Sequence, residues 1–173
     1  MNQNEAPSPF RLGMALSLVA VITAACSQEE QTKDQHLSRA NDYFLAEKYQ
    51  KAEAEYRDVL RGARPDQADP IAIGRLGIIY FEEGQLRKAF PLLKKAAEVQ
   101  PNDLEVQLRL GLAYLSAQAY KEARETALQI LEKQPGHQDA LLLLAGTAVE
   151  PKDIEETIKL IESLRENDSA RPA

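Results

Sequence analysis

The run Arg75-Leu76-Gly77-Ile78-Ile79-Tyr80 returns 34 residues later as Arg109-Leu110-Gly111-Leu112-Ala113-Tyr114. Laid over each other without a gap, residues 70–103 and 104–137 also match Ala89 with Ala123, Glu98 with Glu132, and Gln100-Pro101 with Gln134-Pro135. Gly77 and Gly111 fall inside helical segments, where glycine costs about 1 kcal/mol against alanine unless something must approach closely. The partner helix of a pair is what must approach. Ala89 and Ala123 are the expected opposing small residues, with Tyr80 and Tyr114 filling the volume beside the contact. Pro101 and Pro135 are expected to stop the second helix of each pair, because proline lacks the N–H that an interior position needs.

The order Leu-Gly-x-x-Tyr, Ala nine residues after the Tyr and Pro twelve after the Ala resembles the tetratricopeptide repeat (TPR) family. The resemblance implies an all-α superhelix of about four antiparallel helix pairs over residues 34–166, in units near 34–68, 69–102, 103–136 and 137–166. The first unit is looser, with Ala40 and Tyr43 standing for Gly and Tyr and Ala52 nine residues on, as an end repeat facing water allows. Asp69 reads as an N-cap with Pro70 at the first helical position, and Asn102-Asp103 cap the third unit. Helices are expected near 70–83, 85–98, 103–117 and 119–133, with Pro91 forcing a kink or a late start. In the fourth unit Pro151 should end the first helix. Ile154, Ile158, Ile161 and Leu164 then form one apolar stripe of a closing amphipathic helix, and residues 167–173 read as a frayed, disordered tail.

Leu12 to Ala25 is an apolar run too short for a spanning helix of about 20 residues and suited to an export signal. It ends in Ile22-Thr23-Ala24-Ala25-Cys26, with small residues before the only cysteine. This resembles a bacterial lipobox, which implies a signal peptide over 1–25, lipidation of Cys26 and a short polar tether over 26–33. Thr23 departs from the pattern, which prefers Leu, Val or Ile. An uncleaved anchor and an ordinary signal peptide are the alternatives. Without an Asp after the cysteine, the resemblance implies an outer-membrane anchor with the folded part in the periplasm.

Composition narrows the function classes. A net charge of -6 with no basic stripe argues against a nucleic-acid partner. The two histidines, His36 and His137, lie at opposite ends of the array without a cysteine partner, so no metal site is expected. No catalytic or phosphate-cradling motif occurs, so neither an enzyme nor a cofactor is expected. In the family the first helix of each pair lines a groove. The matching positions are Leu37, Asn41, Phe44, Ile78, Phe81, Leu108, Leu112, Leu115, Leu142 and Val149, mostly apolar. Leu37 stands where a carboxylate-gripping relative has lysine, so the expectation is a groove for a helix or strand of a protein partner. The resemblance thus implies a membrane-tethered adaptor for an envelope, secretion, pilus or exopolysaccharide system. The alternatives are a self-associating structural lipoprotein or a regulatory subunit of an envelope enzyme.

Overall fold

The computed structural model describes residues 30, 32–64 and 66–169, with side chains through residue 164 in the last helix. Eight helices follow one another without a strand among the described residues: α1 over 32–45, α2 Tyr49–Leu60, α3 Pro70–Glu82, α4 Leu86–Val99, α5 Leu104–Ser116, α6 Tyr120–Lys133, α7 Gln138–Gly146 and α8 Pro151–Ser169. The expected signal, Cys26 and residues 27–29 and 31 of the tether lie outside the described residues. Residues 32 and 33, counted as tether from sequence, belong to α1. Among the described residues no helix is long and apolar enough to cross a membrane.

Local chemistry explains each hairpin. The Asp69 carboxylate accepts from Ala72 N at 2.9 Å, with Pro70 in the first turn, and Asp103 accepts from Glu105 N and Val106 N at 3.1 Å each. At the other end of α1, α3 and α5 the chain turns through one left-handed residue: Glu47 at φ 55, Gly84 at φ 72 and Gln118 at φ 59. The next N–H reaches back to the signature tyrosine's carbonyl: Lys48 N to Tyr43 O at 2.8 Å, Gln85 N to Tyr80 O at 2.7 Å, and Ala119 N to Tyr114 O at 2.9 Å. This bond across the left-handed residue satisfies a carbonyl the helix end leaves open. Pro101 and Pro135 follow α4 and α6 by two residues, and the residue before each has left the helical region, Gln100 at φ -123, ψ 71 and Gln134 at φ -139, ψ 86, as a following proline favours.

Among α2 to α8 the pairs α3–α4 and α5–α6 make the most extensive contacts, and successive units are bridged through α2–α3, α4–α5 and α6–α7. Val106 and Leu110 of α5 belong to the core shared with the first two units, whereas Leu108 belongs to the core built from α6 and α7. One helix therefore walls both cores. Gly77 is required where the backbone closes on α4: a Cβ there would lie 3.1 Å from Leu93 Cγ, Cδ2 and backbone N. At Gly111 it would collide with Leu143 Cδ2 and lie 3.2 Å from Thr126 Cγ2. Ala89 and Ala123 are fully buried. The nearest neighbours of the two glycines are nonetheless Leu93, Thr126 and Leu143, one turn beyond those alanines or in the next unit, so the small-against-small pairing expected from sequence is a glycine receiving a larger side chain.

Of the two alternatives at Pro91 the late start is excluded, because α4 already begins at Leu86 and carries the proline inside it, where the Arg87 carbonyl loses its i+4 donor. Pro151 does not end α7, which stops at Gly146; it opens α8, where a missing N–H costs nothing. Residues 167–169 are helical instead of frayed. In α8 the buried position is Thr157, with Leu160, Ile161 and Leu164 half-buried, while Ile154 and Ile158 face outward. The expected four-residue stripe is thus split.

Two signature-related phenols lie deep in this packing. Tyr56 is fully buried and donates to Asn41 Oδ1 at 2.7 Å; Tyr80 donates to Glu53 Oε1 at 2.9 Å. Burial pushes both up to about 12, helped at Tyr80 by the Glu53 hydrogen bond. Because the folded values exceed the unfolded value of about 10, their contribution is complete below pH 10 and is lost as pH rises toward 12. The melting temperature should fall through this alkaline window, and the fall should be shallower in a Tyr80→Phe variant. An equally steep fall in that variant would show that the Tyr80 phenol is not responsible.

Candidate functional site

One cation–π contact joins α1 to α3, and two ion pairs join α3 to α5. Arg75 stands 4.6 Å over the Phe44 ring and ion-pairs with Glu105, while Arg109 Nε meets Glu82 Oε1 at 2.7 Å. Arg75 and Arg109 occupy the same repeat position, so successive units reuse one cation. Tyr49, which opens α2, packs 5.9 Å from Phe44, and its phenol is raised, first by burial and then by the fields of Glu47 and Glu82. The four charged side chains keep between 25% and 42% of their surface. At that exposure each pair adds at most about 1 kcal/mol, and the hydrogen-bonding capacity stays open to a ligand.

The sequence-predicted groove residues divide into three groups. Ile78 and Leu108 are core, 1% and 4% exposed, and cannot touch a ligand: both point at a neighbouring helix. Leu37, Asn41, Phe44, Phe81, Leu112 and Leu115 are half-buried, and Asn41 is already engaged by Tyr56. Leu142 and Val149 are exposed, 71% and 56%, at the far end of the array. The surface beside the first helices is therefore aromatic and charged as much as apolar. Sequence reasoning missed Arg75, Glu82, Glu105 and Arg109; the recurrence of arginine at 75 and 109 was the available signal.

Both histidines are engaged in local structure. His36 Nδ1 lies 2.6 Å from Glu55 Oε2, and Arg39 donates to both Glu55 oxygens, which holds the Glu55 carboxyl below its ordinary range. This cluster closes the α1–α2 hairpin. His137 Nδ1 faces Ala140 N at 3.4 Å and serves as the N-cap of α7. Among the described residues no group of three His, Cys, Asp or Glu side chains could hold a metal ion.

Comparison with known proteins supplies the family. Residues 80–134 and 108–172 each match a tetratricopeptide repeat family. The chain is 28% identical over 137 residues to BBSome complex member BBS4 of Bos taurus, covering 79% of this chain and 26% of that protein, so it spans about a quarter of that relative's length. A MamA structure labelled AMB-1 superposes with a TM-score of 0.66 at 22% identity, over 79% of this chain and 80% of that one. YrrB, described as a TPR protein with an unusual peptide-binding site, superposes with a TM-score of 0.65 at 20% identity, over 93% of this chain and 85% of that one. Two overlapping repeat matches, the Gly and Tyr signature at the hairpin contacts and the superposing helical fold make this chain a tetratricopeptide-repeat protein.

Proposed function

We propose that the chain is a lipid-anchored adaptor that catalyses nothing and holds a segment of a protein partner against the first-helix side of its array. The repeat matches and the stacked hairpins support a protein–protein interaction scaffold. The observation that carries the finer reading is the patch of Phe44, Tyr49, Arg75, Glu82, Glu105 and Arg109, which combines aromatic faces with hydrogen-bonding charge on preformed helices. That YrrB is described as a TPR protein with an unusual peptide-binding site supports a peptide segment as the ligand. Attachment through Cys26 at the periplasmic face of the outer membrane rests on the lipobox resemblance alone, as does a role in assembling an envelope, secretion, pilus or exopolysaccharide system.

Two measurements test the two halves separately. Mass spectrometry of mature protein should find an acylated N-terminal Cys26, absent in Cys26→Ser; a wild-type chain without acyl mass removes the membrane part. Crosslinked capture from the membrane fraction should recover a protein partner that Arg75→Glu with Arg109→Glu loses by about tenfold or more. Undiminished capture by that variant, with its melting temperature intact, would remove the first-helix surface as the site.

A further inference from the structure

A cavity of about 330 Å3 opens between α4 and α6, with α5 beneath it, and it shares no residue with the patch around Arg75 and Arg109. Its residues break the pattern of the units before it. Lys51 lies 5.5 Å from the centre of the Tyr43 ring and Lys88 lies 5.0 Å from that of Tyr80, so each of the first two units covers its signature tyrosine with its own cation, eight residues on. Eight residues after Tyr114 stands Glu122. Both line the cavity, where Glu98 and Glu125 join them against one ammonium, Lys94. The place of Glu53, which accepts from the Tyr80 hydroxyl at 2.9 Å, is taken in the next unit by Phe90, which meets the Tyr114 ring edge-on at 5.1 Å. Tyr114 thus has neither of the partners that Tyr80 keeps.

A carboxylate at 122 also suits the first turn of α6 for the helix's sake. The independent sign of a ligand is Gln107, which is 6% exposed and lines the cavity at a repeat position held by Ile73 and Leu141 in the neighbouring units. Its Nε2 donates to Pro101 O at 2.5 Å, which fixes the orientation of the amide and leaves Oε1 buried with no donor among the described residues. Pro101 O also accepts from Lys133 Nζ, so that carbonyl does not by itself call for the glutamine. A buried acceptor without a donor is costly, and an aliphatic side chain would have avoided the cost. Glutamine is explained by a donor that arrives with a ligand.

We propose that this groove binds a peptide segment of a protein partner through one basic side chain. The cation of that segment lies over the Tyr114 ring, in the place that Lys51 and Lys88 hold in the first two units, and Glu122 and the neighbouring carboxylates meet its charge. Ala97 and Leu110 give its apolar neighbours a floor. A backbone N–H of the segment satisfies Gln107 Oε1, a neutral donor that a polyamine, whose donors are all charged, cannot bring to a buried position without desolvating a cation. An acidic segment is repelled by the excess of carboxylates. Binding here is independent of what the first-helix side holds, so either can fail alone.

The test is a nuclear magnetic resonance titration of the full chain in mild detergent with the capped peptide Ala-Leu-Arg-Leu-Ala and with the same peptide carrying Glu in place of Arg. The arginine peptide should move the amide signals of Gln107, Tyr114 and Glu122 and bind at least about tenfold tighter than the glutamate peptide. Glu122→Lys should put the chain's own ammonium over Tyr114 and weaken binding at least about tenfold, with helix content held because the side chain is exposed. Glu122→Gln, which removes charge without covering the ring, should weaken it less. Glu150→Lys makes the same charge change outside the cavity and should stay within about twofold of the unaltered chain. Signals that stay in place with arginine peptide at concentrations on the order of 10 mM overturn the proposal, as do equal affinities for the two peptides or undiminished binding in Glu122→Lys. Spermidine that moves the same signals at lower concentration than the arginine peptide overturns the peptide as occupant in favour of a polyamine.

Discussion

Leu93→Ala should lower the unfolding free energy by about 2–5 kcal/mol, the range for removing a fully buried leucine from a core that relaxes only partly. Leu93 is 0% exposed and its Cγ, Cδ2 and backbone N all lie 3.1 Å from where a Gly77 Cβ would stand, so one side chain fills the depression that the glycine creates. The reverse change, Gly77→Leu, should also destabilise, by about 1–3 kcal/mol or more, because the Leu93 backbone cannot retreat as a side-chain tip can. Exchanging the pair as Gly77→Leu with Leu93→Ala separates packing from mere tolerance. If the two residues share one volume, the double variant recovers part of the summed loss, and a denaturant cycle reads a coupling of about 0.5–3 kcal/mol. Additive losses would mean that α3 and α4 do not meet at this point.

That pairing also marks the limit of what the sequence discloses. The period of 34 residues placed α3 to α6 to within a few residues, because caps at Asp69 and Asp103 and stops at Pro101 and Pro135 are local chemistry that the chain carries on its surface. Which side chain fills the space at Gly77 depends on the offset between two helices, and periodicity along one helix is silent about that offset. The same blindness placed Ile78 and Leu108 in the groove: a position on the first helix of a pair was assigned to the open side, although its angle around the helix turns it toward the next unit. Arg75–Glu105 and Arg109–Glu82 join residues 30 and 27 apart, so no window on the sequence pairs them. Pro151 was ambiguous for a different reason. Proline both follows helices and opens them, and only the missing left-handed turn after α7 decides which it does here.

Leu143→Ala is the second change expected to cost about 2–5 kcal/mol, and its consequence should be confined to one part of the array. Leu143 is 1% exposed and packs over Gly111 in the core that holds α6, α7 and α8 together, whereas Leu93, Tyr56 and Ile79 belong to the other core. The two cores meet at α5, which gives Val106 and Leu110 to one and Leu108 to the other. In a stack of repeats each unit is held mainly by its neighbours, so lost contact energy lowers the opening cost of the nearest unit before that of distant ones. The fourth unit is the natural place to open first: α7 has 9 residues where α3 and α5 have 13, and it makes only a small contact with α8. Hydrogen exchange on Leu143→Ala should therefore show protection lost across α7 and α8, reduced at α6 and retained in α3 and α4. Leu93→Ala should loosen α3 and α4 instead. Uniform loss of protection along the whole chain in both variants would show one cooperative block, and the division of labour at α5 would then have no energetic meaning.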